Sequence, residues 1–586
     1  MAGFTRRDFL RASGLALGGI VVSTGLQGCL SSGSSSSPST ENRSLAFEHG
    51  VASGDPLADR IMVWTRVTPK DANAENVEVS WEVASDAAFT QLLHNGSAST
   101  GPERDYTLKV DVQNLLPGET YFYRFKAGNT VSATGKMKTL PSAGVQQVRF
   151  AVMSCANFPA GYFHAYAEAA RESELDAVLH LGDYIYEYGT GGYATEDAAA
   201  LGRSLSSDNN TELLNLSDYR KRYALYRTDT DLQSLHAAAP FIAVWDDHEV
   251  ANDTWKDGAE NHNEGEGDFT ERKLAALQAY FEWLPVRPAS EDDELTIYRS
   301  FDFGDLVSLH MLDTRIIGRD EQLDYADYTS QSGFDAVGFT ADVSSSSRSL
   351  LGQTQMNWLQ TQLAVSTATW QVLGQQVLMG RMLLPAEMLT ALSNPAAADL
   401  GTLLGELVQL KIRVQQKDPS LTSEEIARIT TVIPYNLDAW DGYAYEREVI
   451  FGLARSLDKN LVVLAGDTHN AWANNLKTQG GEAVGVEFAT AGVTSPGLES
   501  YLGLPAEAMP QAEQAITLLV DELKYLNANQ RGYLLVTFTP DEATADWRYV
   551  STVKARDYTV DAARGLTLST LPGSANRTLI EDMVIG

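Results

Sequence analysis

Four short clusters of polar residues carry side chains that can bind metal ions and transfer protons. They are Ser154-Cys155-Ala156-Asn157, Gly182-Asp183-Tyr184-Ile185-Tyr186, Trp245-Asp246-Asp247-His248-Glu249 and Gly466-Asp467-Thr468-His469-Asn470. Thiolate, imidazole and carboxylate groups are the usual ligands of metal ions in proteins. We therefore expect a metal centre that performs chemistry.

An apolar run stands directly before each of these clusters. The four runs are Val148–Met153, Ala177–Leu181, Phe241–Val244 and Leu461–Ala465. Continuous hydrophobicity is typical of strands in a largely parallel sheet, because both faces of such a sheet are covered. In open α/β sheets, sites form beyond the carboxyl ends of the strands. The pattern predicts that four strand ends bring the polar clusters to one rim.

The charge balance limits the partners of the chain. Its 586 residues include 44 Lys and Arg but 77 Asp and Glu, which gives a formal net charge of -33. A surface this acidic repels nucleic-acid backbones and anionic lipids, and nucleic-acid binding is therefore not expected as a main role. An anionic substrate stays compatible if bound cations attract it. The length predicts two or three domains.

The N-terminus predicts export. Thr5-Arg6-Arg7-Asp8-Phe9-Leu10 and the apolar stretch 15–22 are typical of a twin-arginine signal, which we place at residues 1–28 and which would engage the twin-arginine export machinery. Leu26-Gln27-Gly28-Cys29 resembles a lipobox and predicts a lipid anchor at Cys29; ordinary signal-peptidase cleavage is the alternative. A Ser-rich linker follows over 29–44. We expect a periplasmic, surface-attached or extracellular protein.

The rest of the chain divides into a β domain, a catalytic domain and a tail. Period-two alternation, as in Val77–Val83, predicts a small all-β immunoglobulin- or fibronectin-like sandwich over 45–142. Apolar runs then alternate with helical stretches over 146–560, which predicts an α/β catalytic domain. Residues 189–215 are interpreted as a surface loop, 386–431 as a helical insertion and 511–527 as one helix. The tail is 561–586, and the only cysteines, Cys29 and Cys155, allow no disulfide framework.

Each candidate ligand has a simpler interpretation when it is taken alone. Asp183 fits a turn, and Cys155 fits a small buried apolar residue. The acids at 246–249 would ordinarily lie on a solvated face, but they follow a buried strand directly. Carboxylates gathered at a rim repel one another unless cations neutralise them.

Taken together, the clusters resemble the PhoD-type alkaline phosphatase/phosphodiesterase family of the calcineurin-like metallophosphoesterases. The resemblance covers most of the chain, from His49-Gly50-Val51-Ala52-Ser53-Gly54-Asp55-Pro56 through Leu312-Asp313-Thr314-Arg315 to Ser495-Pro496-Gly497. It implies a two-sheet α-β-β-α sandwich behind the β domain, with Fe(3+) and Ca(2+) as cofactors.

The resemblance also implies a set of ligands for each of two metal subsites. Cys155, Asp183, Tyr186 and His469 would suit Fe(3+), with Asp183 as the bridging ligand. Asp183, Asp247 and Asp467 form an all-oxygen set that favours Ca(2+). Asp246 is a further candidate calcium ligand. The remaining ligand would come from the segment 374–376 or from Asn252, two alternatives that the sequence leaves open.

The expected activity is that of an exported alkaline phosphatase. A metal-activated hydroxide would release inorganic phosphate from organic phosphoesters, with monoesterase and some phosphodiesterase activity. His248 would contact a phosphoryl oxygen or protonate the leaving group, unless it only orients a carboxylate. Arg315 would contact phosphate, unless it forms a salt bridge with Asp313 or another acid. The alternatives are a phosphodiesterase of phospholipid or teichoic-acid-like polymers and, from another class, a non-catalytic calcium-stabilised surface module.

Overall fold

The structure is a computed structural model of the chain. It describes the backbone of 20–22 and residues 44–70, 75–290, 295–331, 333–392 and 399–580. The twin-arginine motif, Cys29 and most of the linker lie outside the described residues, so the export signal and the lipid anchor stay predictions. Among the described helices, none combines the length and the apolar character needed to cross a bilayer.

Three main sheets form the body of the protein. The first has ten strands, in spatial order Ile20–Val22, Thr107–Gln113, Arg60–Arg66, Val51–Gly54, Phe241–Ala243, Ala177–His180, Val148–Met153, Arg531–Phe538, Ala543–Val550 and Leu566–Thr570. The second has seven, in order Arg299–Phe303, Val307–Met311, Trp370–Gly374, Leu461–Ala465, Ala483–Ala489, Ala471–Lys477 and Leu523–Asn527. The third contains Thr130–Val131, Thr120–Ala127, Val77–Ala84 and Leu92–Thr100, with Gly135–Lys138 paired to Thr120–Ala127.

Short hairpins and helices complete the described fold. The two-stranded pairs are Leu45–Ala46 with Thr68–Pro69, Thr329–Ser330 with Gly333–Phe334, and Leu383–Pro385 with Val432–Pro434. The α-helices are His164–Ala169, Ala198–Leu201, Leu216–Arg227, Thr230–Ala238, Phe269–Trp283, Ala336–Val343, Gly352–Val365, Ala386–Leu392, Leu400–Gln415, Ser423–Thr430, Ala444–Ser456, Glu499–Leu502 and Met509–Leu519. Short 3-10 helices lie at Pro102–Arg104, Phe158–Ala160, Tyr325–Tyr328, Trp440–Tyr443 and Ala506–Ala508.

The four strands that precede the polar clusters divide between two sheets. Val148–Met153, Ala177–His180 and Phe241–Ala243 are parallel neighbours in the first sheet. Leu461–Ala465 is a parallel strand of the second sheet. A parallel bridge between Ser154 and Gly492 joins the ends of the two sheets. The rim on which the clusters meet therefore belongs to both sheets.

Side chains of the central strands pack in two directions. In Leu461–Ala465, Val462 and Leu464 belong to the core cluster that contains Phe150 and Val152 of the first sheet. Val463 and Leu461 belong to a second cluster, together with residues of the helices Gly352–Val365, Ala444–Ser456 and Met509–Leu519. Because both faces are covered, every residue of this strand is buried, which explains its continuous hydrophobicity.

The β region before residue 142 shares a sheet with the catalytic region. Its strands pack around a separate core that contains Val63, Trp81 and Phe125. Val51–Gly54 also pairs in parallel with Phe241–Ala243, and Gly54 lies opposite Phe241. A Cβ atom at Gly54 would lie 2.6 Å from the Phe241 carbonyl oxygen, so this junction requires glycine. The predicted domain bounds themselves stay a prediction.

Two interpretations of local sequence meet different outcomes. The capping-box spacing at Thr422 and Glu425 is confirmed at the start of the helix Ser423–Thr430. The single helix expected over 511–527 is wrong in its second half. The helix ends at Leu519, and Leu523–Asn527 is an edge strand of the second sheet. Pairing with Ala471–Lys477 supplies backbone hydrogen bonds that a local helical pattern does not reveal.

Candidate metal centre

The candidate ligands converge in three overlapping groups. The groups are Cys155 with Asp183 and His469, Asp183 with Asp247 and His248, and Asp246 with Asp247 and Asp467. Within each group, one ligand atom per residue lies within 4.8 Å of the others. Asp183 belongs to two groups and Asp247 to two, so they link the three sets. The structure thus brings together the residues that the sequence placed at four strand ends.

The backbone at this centre is unusual. Cys155, Asp183, Asp467 and His469 all have φ near +60°, between 55° and 62°. Non-glycine residues uncommonly adopt this left-handed conformation, which costs a residue such as Cys155 about 1–2 kcal/mol, while Asp and His tolerate it better than most. Such strain persists where the surrounding fold over-determines it, which is common at functional sites. The turns direct these side chains back toward one point.

The first group is built around a neutral imidazole. His469 Nδ1 lies 2.7 Å from the Pro496 carbonyl oxygen, which can only accept, so Nδ1 donates and Nε2 stays unprotonated. Burial lowers the pKa of His469 to about 3, which favours that neutral form. Nε2 faces the Tyr186 hydroxyl oxygen at 3.2 Å and Asp183 Oδ2 at 3.9 Å. An oriented imidazole with a free nitrogen is ready to bind a metal.

Cys155 and Tyr186 lie beside this imidazole. Cys155 is fully buried, and its thiol donates to Ser154 Oγ at 3.1 Å. Burial and the charge of Asp183 raise the pKa of Cys155 well above its ordinary value. The Tyr186 hydroxyl donates to Asp183 Oδ2 at 3.0 Å. Neither a thiolate nor a phenolate is favourable here without a nearby cation.

The carboxylates of the other groups lack partners on one side. Asp183 Oδ1, Asp246 Oδ2 and Asp247 Oδ1 are buried and have no hydrogen-bond partner among the described residues. Burial, together with neighbouring carboxylates, raises the pKa of Asp183, and burial raises that of Asp246 to about 7. Three orphaned oxygens at one place fit a bound cation, because buried acceptors are otherwise paired.

Arg315 supplies positive charge to the same carboxylates. Its side chain is fully buried, and its three nitrogens lie 2.5 Å from Asp246 Oδ1, 2.7 Å from Asp438 Oδ1 and 3.2 Å from Asp467 Oδ1. This is the salt-bridge alternative considered for Arg315, with acids other than Asp313. Contact between Arg315 and a phosphoryl oxygen stays a prediction.

His248 is held by a carboxylate that the sequence interpretation missed. Its Nδ1 lies 2.7 Å from Glu187 Oε2, and Glu187 Oε1 also accepts from the backbone N–H of Asn252 and from Asn261 Nδ2, both at 2.8 Å. Although burial opposes the charged form, Asp247 and Glu187 raise the pKa of His248 well above its ordinary value. Because Nδ1 is used, Nε2 is the nitrogen left for other contacts. Glu187 directly follows Tyr186, so extending the second cluster by one residue would have found it.

Glu249 ties two ligand loops together. Its Oε2 accepts from the backbone N–H of Asp183 at 3.0 Å and of Asp246 at 2.7 Å. Its Oε1 accepts from the Tyr184 N–H at 2.5 Å. The sequence interpretation counted Glu249 only among the clustered acids. Its position suggests that it fixes the relative placement of Asp183 and Asp246.

The two candidates for a remaining ligand have other partners. Gln376 Nε2 donates to the Trp245 carbonyl at 2.6 Å, and Gln375 Oε1 accepts from Trp440 at 3.0 Å. Asn252 Nδ2 donates to Glu260 at 3.1 Å. Two unanticipated acids do stand at the centre, Asp438 beside Arg315 and Asp253 beside Asp247, where burial raises the pKa of Asp253 to about 7. Neither follows a recognisable strand, so no pattern in the sequence indicated them.

Comparison with known proteins agrees with this site. Residues 150–547 match the family model for PhoD-like phosphatases, and residues 32–141 match the model for the N-terminal domain of that family. Alkaline phosphatase D of Bacillus subtilis (strain 168) is 34% identical over 561 residues, covering 93% of this chain and 84% of the relative. A solved structure titled "Structure of PhoD" has 30% identity and a TM-score of 0.72, with 94% of each chain covered.

Fold, site and comparisons define a phosphoric ester hydrolase with a mixed α/β fold of several sheets, which acts on phosphoester substrates. The chain belongs to the PhoD-like phosphatase family. The resemblance found in the sequence is confirmed, and the alternative of a non-catalytic surface module is wrong.

Proposed function

We propose that the protein is an exported, metal-dependent alkaline phosphatase that hydrolyses phosphomonoesters and, less efficiently, phosphodiesters. The observation that carries the proposal is the set of buried, unpartnered carboxylate oxygens of Asp183, Asp246 and Asp247 beside a thiol and a neutral imidazole. Such a donor set is costly in a protein that binds no cation. Export rests on the twin-arginine pattern of the sequence.

Two kinds of metal ion suit the two sides of the centre. Cys155, Asp183, Tyr186 and His469 are proposed to hold Fe(3+), because thiolate, phenolate and imidazole complement a ferric ion. Asp183, Asp246, Asp247 and Asp467 are proposed to hold Ca(2+), which prefers oxygen ligands. When bound, the ions would neutralise phosphoryl charge and supply a nucleophile from water at alkaline pH.

The chain's own residues would orient the substrate and move a proton. His248, held by Glu187 through Nδ1, presents Nε2 toward the side of Asp183 and Asp247. Protonated, it can donate to a phosphoryl oxygen or to the leaving alkoxide. Arg315 holds Asp246, Asp438 and Asp467 in place, and it is also proposed to attract the phosphoryl group by its charge.

The finer architecture is proposed on the same basis. The two opposite packing directions of Leu461–Ala465 support an α-β-β-α layer order for the catalytic domain, 146–560. The separate core of the strands between residues 51 and 138 supports an immunoglobulin- or fibronectin-like sandwich over 45–142.

The test combines metal analysis with phosphate release by the purified protein. The expected result is iron and calcium in the protein, with faster turnover of a phosphomonoester than of the matching diester. Asp183→Asn should lose both metal and activity. The matched control is Asp302→Asn, since Asp302 is exposed and, among the described residues, its carboxylate accepts a hydrogen bond from Ser308 Oγ alone, at 2.7 Å. Full activity in Asp183→Asn would overturn the proposed centre, and a diester preference would favour the polymer phosphodiesterase.

A further inference from the structure

The entrance to the metal centre can be located from the exposure of its ligands. The side chains of Asp183 and Asp246 are 1% exposed, and Cys155 is fully buried. The side chains of Asp467 and His469 are each 17% exposed. Asp467 and His469 are the most exposed of the candidate ligands, so we take the turn 467–469 that carries them as the entrance to the centre.

Half-buried tyrosines surround this entrance. The Tyr193 ring lies 5.8 Å from the His469 ring, with the two planes 29° apart. The Tyr188 ring lies 6.1 Å from Tyr193 and 5.4 Å from His248. Both tyrosines come from the segment that follows the Asp183 cluster. Their rings cover one side of the entrance.

Tyr435 lies near the Asp467 end of this turn, which it reaches through Trp472. Its ring lies 6.3 Å from Trp472, whose Nε1 donates to Thr468 Oγ1 at 2.8 Å. Thr468 separates Asp467 from His469, so Tyr435 borders the same turn. Burial and the charges of Tyr501 and Asp467 raise the pKa of Tyr435, which agrees with that position. Tyr501 itself is 59% exposed.

The tyrosines differ in whether their hydroxyl groups form hydrogen bonds that support the candidate ligands. The Tyr193 hydroxyl lies 2.5 Å from the Pro496 carbonyl, the group that also orients His469, so Tyr193 is part of the site's support. For Tyr188 and Tyr435 the described residues offer no comparable hydroxyl bond to a ligand. Both residues are half-buried, so part of each side chain is left accessible to a bound molecule.

We propose that Tyr188 and Tyr435 form an aromatic clamp at the entrance that selects phosphoesters of nucleosides. The inference rests on the proposed phosphatase function and deepens it. With the phosphoryl group at the metal centre, the alcohol part of the substrate would extend outward past these rings. Stacking of a planar base on an aromatic side chain contributes about 1–3 kcal/mol of binding free energy per base, which corresponds to a roughly 5- to 150-fold change in affinity. A bare sugar or glycerol offers no aromatic face to these rings.

The test compares adenosine 5′-phosphate with ribose 5-phosphate on the metal-loaded protein. Both compounds carry the phosphate on the primary 5-hydroxyl of ribose, so a difference in kcat/KM reports mainly the base and not the chemistry of the bond. We expect the nucleotide to be favoured about tenfold. In Tyr188→Leu and Tyr435→Leu the ratio should fall toward one, while kcat/KM for ribose 5-phosphate changes less than about twofold.

Controls separate stacking from structural effects. Tyr188→Phe and Tyr435→Phe keep the ring and should keep the ratio. Tyr445→Leu removes a 48% exposed tyrosine away from the entrance and should also keep it. Equal kcat/KM for the two compounds in the unmodified protein, or an unchanged ratio in both Leu variants, would overturn the clamp. Phosphate release from neither compound would refute the proposed function, and the clamp with it.

Discussion

The Glu249→Gln substitution tests how the two ligand loops are held. The carboxylate accepts three backbone N–H groups, two at Oε2 and one at Oε1. A glutamine has one acceptor oxygen. If that oxygen takes the Oε2 position, its NH₂ group faces the Tyr184 N–H, and two donors oppose each other in a buried place.

The expected loss follows from these contacts. An unsatisfied buried N–H costs about 1–3 kcal/mol, and the two surviving bonds lose the strength that the charge gave them, about 1 kcal/mol each. The total is about 3–5 kcal/mol. Because Asp183 and Asp246 are held through their own N–H groups, metal affinity should fall about 10- to 100-fold, as is typical when the partners of ligands are removed.

The assay measures the apparent melting temperature and the metal content after equilibration with a metal buffer. The matched control is Glu446→Gln. Glu446 Oε2 accepts from the Leu350 and Leu351 N–H groups, and Oε1 accepts from the Ser349 hydroxyl. That hydroxyl can turn and accept from the new NH₂ group, so the control should lose less stability and retain its metal. Wild-type melting and metal content in Glu249→Gln would refute the reasoning.

Three further substitutions probe other groups. Glu187→Gln removes the charge that orients His248 and should lower kcat about 10- to 100-fold with little change in KM. Steady-state kinetics across pH measure this effect, and an unchanged kcat would show that His248 does not depend on Glu187. Cys155→Ala should remove or shift a visible absorption band and lower the iron content, and a spectrum indifferent to the change would exclude the thiolate as a ligand. His310→Gln should flatten the acid dependence of stability. Burial lowers the pKa of His310 to about 4, so between pH 6.5 and 4 the unfolded ring binds a proton that the folded ring refuses. The free energy of unfolding therefore falls as the pH falls, by about 3 kcal/mol from this group. Denaturation midpoints that change with pH equally in the unmodified protein and in His310→Gln would contradict this reasoning.

Much of the centre could be predicted because it sits where local patterns end. The strands before Cys155, Asp183, Asp247 and Asp467 are buried on both faces. Such burial requires continuous apolar runs, and these runs can be recognised in the sequence. What the runs could not tell is that Leu461–Ala465 belongs to a different sheet from the other three. Which strands pair depends on contacts between distant segments.

The residues that were missed serve the centre without a local signature. Asp438 comes from an irregular segment and meets Arg315 from 123 positions away. Glu249 was visible as an acid, but two of its three backbone partners, Asp183 and Tyr184, lie on a turn more than sixty positions earlier in the chain. The outcome over 511–527 has the same origin, because the strand Leu523–Asn527 forms only when Ala471–Lys477 is present to pair with it. Long-range pairing decided each of these cases.

The left-handed turns at Cys155, Asp183, Asp467 and His469 have a consequence for how this protein can change over evolution. Glycine adopts such a backbone freely, so replacing a ligand with glycine relieves strain, most of all at Cys155, the residue type among the four that tolerates this backbone least. At these four positions, mutations that abolish the metal centre can therefore make the polypeptide more stable. A lineage freed from the need for phosphate release would be expected to drift toward glycine here, and to yield a more stable but inactive protein.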